Sequence, residues 1–315
     1  MQRCLAFLTA LITLCLSVQT SIGAEPVPRE LVKDAKRIVF LGDSITASGG
    51  YVAYFDAWLA GQRLEQPPMV INAGLASETV SGLSEEGHAD GKFPRPDLAE
   101  RLERVLDLTK PDLVIACYGI NCGIYQPFDE SRFEKYRKGM ERLKSQVESR
   151  GATFVVMTPP FYDDLRLPKN GFQYNDVLDR YSDWLVGRRE HGWRVIDLHH
   201  PMSQFVLQRR RTDPKFTLQP DGVHPNEVGH WFMAQQLIRW AGDESASAAE
   251  TPAGMLKQLE ISDATFTLIR QRAMLRRDAY VGQAGHKRPG VAKGLAVDEA
   301  EAKAAELSQK IREAL

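Results

Sequence analysis

Five short runs rich in β-branched residues recur along the chain: Arg37 to Leu41, Met69 to Asn72, Leu113 to Cys117, Thr153 to Met157 and Arg194 to Leu198. Between and after them lie Tyr51 to Leu64, Pro96 to Leu108, Asp129 to Ser149, Gln173 to Glu190 and Asn226 to Trp240, with apolar residues near the three-and-four spacing of one helix face. This alternation constrains the fold more than any other feature. Strand and helix in regular succession predict an α/β fold, a central five-stranded parallel sheet covered by helices on both faces. Ligands of such sheets bind beyond the carboxyl ends of the strands.

Polar residues gather at that rim. The first run passes into Gly42-Asp43-Ser44, the second into Ala73-Gly74, and the third into Tyr118-Gly119-Ile120-Asn121. Ser44 either caps the helix that follows or serves as a nucleophile, and the rest of the chain decides between the two. A nucleophile needs a base, a group to orient the base, and donors for the oxyanion. Of the seven histidines, His224 stands out because Asp221-Gly222-Val223-His224-Pro225 lets a carboxylate turn back onto Nδ1 of the imidazole. Nε2 would then face the serine, the logic of a Ser-His-Asp unit. Alone, that segment could equally be a helix-entry turn.

Read together, the blocks Gly42-Asp43-Ser44-Ile45, Asn72-Ala73-Gly74, Gly119-Ile120-Asn121 and Asp221-Gly222-Val223-His224-Pro225 resemble the four sequence blocks of the GDSL or SGNH hydrolases. The resemblance covers roughly residues 36–241. It implies a flavodoxin-like three-layer α/β/α sandwich and a serine esterase or acylhydrolase that needs no metal or other cofactor. By the same resemblance Ser44 is the nucleophile, His224 the general base and Asp221 its orienting carboxylate. The oxyanion hole would comprise the N–H groups of Ser44 and Gly74 with the side-chain amide of Asn121. The family's third block usually continues into Asp, and here Cys122 stands in its place. A brace for Asn121 is therefore missing unless a Cys117–Cys122 disulfide supplies one.

Residues 1–24 have the layout of a secretory signal: Arg3, an apolar segment from Leu5 to Val18, then small residues before a cleavage point after Ala24. The segment is short for a membrane span, so the expectation is a secreted or periplasmic protein with no span after cleavage. Removal leaves only Cys117 and Cys122, to be read as buried thiols or a pair. Formal net charge is −1, and no basic stripe interleaved with aromatics marks a nucleic-acid partner.

Residues 25–241 read as the hydrolase domain, 242–250 as a linker and 251–315 as a helical extension. Helices are expected from Thr251-Pro252, over Ser262 to Ala279, and from Asp298 to Leu315. They would pack on the domain or on another subunit, and the oligomeric state is left open. Ser81 to Pro96 is a long loop at the rim, with His88 as a substrate contact; Tyr118 is a second such candidate.

The leading functional expectation is removal of acetyl or similar short acyl groups from a carbohydrate. Alternatives are a lipase- or thioesterase-like activity on longer acyl chains, and a silent member that binds a glycan or partner.

Overall fold

The structure, a computed structural model, describes residues 28–315; the signal segment read at 1–24 lies outside the described residues. The elements run α1 (Pro28–Asp34), β1 (Arg37–Gly42), α2 (Ser44–Ser48), α3 (Gly50–Gly61), β2 (Met69–Asn72), α4 (Leu102–Thr109), β3 (Leu113–Cys117) and α5 (Glu130–Glu148). They continue with β4 (Thr153–Met157), α6 (Asn175–Gly187), β5 (Arg194–Ile196), α7 (His199–Arg209) and α8 (Glu227–Trp240). The extension contributes α9 (Glu244–Ser247), α10 (Pro252–Gln258), α11 (Asp263–Ala284) and α12 (Val297–Glu313).

All five strands are parallel, in the order β2-β1-β3-β4-β5. This is the flavodoxin order, in which the chain changes direction of travel across the sheet between β1 and β3. Every residue of β3 is buried, which a strand achieves only when helices cover both faces of its sheet. The register aligns Phe40 with Asn72 and Gly42 with Cys117. The three loops carrying Ser44, Gly74 and Asn121 therefore leave the sheet at one level.

The segment expected to be a linker is packed instead. Asp243 caps α9 by accepting from Ala246 N–H at 2.9 Å, and its other oxygen accepts from the Trp58 indole at 2.8 Å. The Trp231 indole donates to the Ala249 carbonyl at 3.0 Å. Short polar side chains here serve as caps and acceptors, which composition alone does not distinguish from solvated linker. A second difference is α7, a helix directly after β5 that begins with His199.

The extension packs on its own domain. Helix α11 lies against β2, α3, α4 and α12, and Ile269, Tyr280, Ala284 and Ile311 join the main hydrophobic core. One ion pair spans three helices: Arg272 donates to both oxygens of Asp56 on α3, at 2.9 and 3.0 Å, and to Ser308 of α12 at 3.0 Å. Asp56 is only 3% exposed, so it depends on this partner. Arg272→Met should therefore destabilise the protein by roughly 3–5 kcal/mol, because it leaves a buried carboxylate unpaired. Urea denaturation checks this, and a loss below about 1 kcal/mol would show that the pair is not what ties the extension down.

Candidate active site

The end of β1 delivers Ser44 to the first turn of α2. Asp43 caps that turn, its Oδ1 accepting the Ile45 N–H at 3.0 Å. The Ser44 N–H, at the start of the helix, has no intrahelical acceptor. Ser44 Oγ lies 2.8 Å from His224 Nε2, and His224 Nδ1 lies 2.7 Å from Asp221 Oδ2. The other oxygen of Asp221 accepts the backbone N–H groups of Val223 and His224 at 2.9 and 2.7 Å. Partial burial pushes the Asp221 carboxyl upward, but these hydrogen bonds outweigh it and hold the group below the usual carboxylate range. It is therefore an ionised acceptor that sets the His224 tautomer.

The turn that carries this pair is built for it. Gly222 has φ +88°, and a Cβ there would meet the Leu167 side chain at 2.4 Å. Its carbonyl accepts the Asp163 N–H at 2.9 Å. Asp163 is fully buried and binds the Arg210 guanidinium at 2.6 Å and the Thr217 hydroxyl at 2.5 Å. Asp221 and His224 themselves are about half exposed, so a rigid support presents an open edge.

On the other side of Ser44, the backbone of Gly74 approaches α2 so closely that a Cβ would stand 2.6 Å from Ala47 N. The Asn72 amide donates to the Thr46 carbonyl at 2.6 Å and accepts the Gly74 N–H at 2.9 Å. That N–H is thus engaged within its own loop. Asn121, 3% exposed, donates from Nδ2 to the Glu78 carbonyl at 3.3 Å and accepts the Tyr125 hydroxyl at 2.8 Å.

Tyr118, expected as a substrate contact, has no exposed surface. Its hydroxyl donates to Glu78 at 2.6 Å, and Arg101 donates to both Glu78 oxygens at 2.6 and 2.8 Å and to the Ala73 carbonyl at 2.7 Å. Tyr118 belongs to the support beneath the site, its buried hydroxyl turned onto Glu78. His88 does not touch Ser44, His224 or Asp221. Its Nδ1 faces Glu85 at 3.3 Å, and Glu85 grips Arg95, which lies over the Tyr125 ring at 5.2 Å.

Cys117 and Cys122 are both free and buried, so no disulfide braces the third block. Glu78 and Tyr125 escaped sequence reading because such residues in loops carry no periodic signal, and Arg101 because a charged residue in an amphipathic helix reads as part of its polar face. Among the described residues no cluster of three or more His, Cys, Asp or Glu side chains is spaced to hold a metal ion.

Helix α2 also carries Ser48, whose Oγ lies 3.2 Å from His230 Nε2. The two pairs differ in a decisive way. Burial pushes His230 down to about 4, Ser48 donates to the Ile45 carbonyl at 2.7 Å, and no carboxylate orients His230. Of the two pairs, the Ser44 pair alone has a carboxylate on the far nitrogen of its histidine. Ser48 and His230 instead line a cleft of about 410 Å³ between α3, α8 and α11, together with Tyr54, Asn72, Glu227 and Arg270 among others.

Residues 40–232, more than half of the chain, match the GDSL-like Lipase/Acylhydrolase family. The chain belongs to that family and is a carboxylic ester hydrolase of the GDSL type. It is similar to an acetylxylan esterase of Geobacillus stearothermophilus, 25% identical over 240 residues that cover 68% of this chain and 97% of that protein. A structure of a catalytic mutant of Axe2, an acetylxylan esterase of the same organism, superposes with a TM-score of 0.51 at 23% identity, covering 66% of this chain and 95% of that one. A gut microbial diltiazem-metabolizing enzyme superposes with a TM-score of 0.52 at 21% identity, and this chain spans about half (47%) of its length. The structural likenesses show a shared fold.

Asp43 gives the site a pH signature. Burial pushes its carboxyl up to about 7, against the Ile45 hydrogen bond and the charges of His224 and Arg95. A carboxyl raised on folding binds more protons in the native than in the unfolded state between its two pKa values, so its stabilising contribution is lost as pH rises through about 7. Asp43→Asn keeps a cap acceptor and removes the titration. Its melting temperature should therefore gain on the wild type as pH rises from about 4 to about 7 and keep that gain above it; parallel curves would contradict this.

Proposed function

We propose that this chain is an exported serine esterase that removes acetyl groups from a carbohydrate through an acyl-enzyme. The observation that carries the reading is the continuous relay Ser44–His224–Asp221, with contacts of 2.8 and 2.7 Å. Ser44 Oγ attacks the ester carbonyl while His224 Nε2 takes its proton. The carbonyl oxygen becomes an oxyanion held by the Ser44 N–H and one N–H of Asn121. The Gly74 N–H joins by sharing itself between Asn72 and the oxyanion. Collapse breaks the ester C–O bond, and His224 returns the proton to the leaving alcohol. Water then attacks the acyl-Ser44 ester with the same base, releasing acetate and restoring Ser44. Asp221 keeps Nδ1–H engaged and favours the imidazolium that forms at each step.

The acetyl and carbohydrate parts rest on the acetylxylan esterase relative, and export rests on the leader-like residues 1–24. Ser44→Ala should lower kcat on p-nitrophenyl acetate by at least about a thousandfold, with the fold retained. His224→Ala should be nearly as severe, and Asp221→Asn less so. Rates that fall steadily from acetate to longer acyl esters, together with acetate release from acetylated xylooligosaccharides, support the reading. Preference for long chains would replace it with a lipase-like activity, and equal background rates for wild type and Ser44→Ala would leave a binding protein.

A further inference from the structure

We propose that Tyr125 is the positioning residue of the oxyanion hole, its hydroxyl fixing which way the Asn121 amide faces. The inference rests on the reading of Asn121 as an oxyanion donor. A side-chain amide can present either its NH2 or its oxygen to a given point, and only its partners decide. An Asn121 turned the wrong way would offer a lone pair to the oxyanion.

Two partners set the orientation. The Glu78 carbonyl accepts from Nδ2 at the longer distance of 3.3 Å, and the Tyr125 hydroxyl donates to Oδ1 at 2.8 Å. With Oδ1 and one Nδ2 hydrogen engaged, the second Nδ2 hydrogen remains for substrate. Burial raises the Tyr125 hydroxyl well above its ordinary pKa, so it stays a donor wherever the esterase works. Cys122, at the position of the family's usual Asp, cannot take over: its thiol is buried, and burial pushes it up to about 12.

The backbone shows that this placement is forced. Ile124 and Tyr125 have φ of +48° and +53°, two consecutive non-glycine residues in the left-handed region, one of them β-branched. Such conformations persist where the surroundings over-determine them. Here the Ile124 N–H bonds the Asn121 carbonyl at 3.0 Å. The Tyr125 ring stacks on Tyr174 at 5.0 Å, with the Arg95 guanidinium 5.2 Å and the Lys169 ammonium 4.9 Å from its centroid. Tyr174 in turn donates to the Ile120 carbonyl at 2.9 Å. The ring is fixed by its stack, and the hydroxyl is what reaches Asn121.

Steady-state kinetics of Tyr125→Phe, Asn121→Ala and the double variant on p-nitrophenyl acetate test this. Tyr125→Phe keeps the ring and its stack, so kcat should fall roughly five- to tenfold with KM unchanged. Asn121→Ala should cost roughly a hundred- to a thousandfold, and Tyr125→Phe should add nothing in that background. A merely structural loss would multiply in both backgrounds, so the cycle discriminates even if Tyr125→Phe lowers the melting temperature. Impaired Asn121→Ala with a Tyr125→Phe effect under about twofold, or with multiplying losses, overturns the role of Tyr125 alone. A silent Asn121→Ala overturns the oxyanion reading as well.

Discussion

The register of β1 between β2 and β3 is the constraint on which the site depends. A slip of one residue would turn every side chain of the strand to the opposite face, and each of these strands is buried nearly throughout. Apolar burial therefore fixes the heights at which Gly42, Asn72 and Cys117 leave the sheet. The bond from Leu75 N–H to the Gly42 carbonyl, 2.9 Å, and the Asn72 amide on Thr46 extend the alignment past the strand ends. Hydrophobic packing thus sets the level at which the loops carrying Ser44, Gly74 and Asn121 leave the sheet.

The two flanks of Ser44 are supported differently. Beneath the Asn121 side lies the buried Glu78–Arg101 pair, which would be costly if incompletely satisfied. Glu78 is gripped by Arg101 and Tyr118, while Arg101 also holds the Ala73 carbonyl next to Gly74. The Asp221–His224 side is open, its turn held from behind by Asp163, Arg210 and Thr217. Segment 158–175 joins both, with Asp163 bonded to Gly222 and Tyr174 to Ile120. Such an arrangement suits an enzyme whose charge develops over a rigid donor set while the proton moves at an accessible edge.

The strands were legible because a buried parallel strand must be apolar and prefers β-branched residues, and all five runs fall on strands. The first three GDSL-type blocks were legible because each sits where a strand ends, and the fourth because an Asp and a His stand three residues apart just before a helix. Helix α7 was not, since His199-His200-Pro201 at its start carries no apolar period. Nor was the role of 242–250, where caps and acceptors have the composition of a linker. Glu78 and Arg101 are 23 positions apart and read singly as solvated charges; only the fold shows that they face each other in the core. Tyr118 misled for a related reason. A tyrosine at a strand's carboxyl end can face the rim or the sandwich, and sequence does not say which.

Catalysis as proposed depends on Ser44, and not the neighbouring Ser48, being activated by a histidine. Labelling with a fluorophosphonate, followed by peptide mass mapping, tests it without reference to any substrate. The expected result is a single adduct on Ser44 that His224→Ala abolishes. No adduct, or an adduct on Ser48, would contradict it.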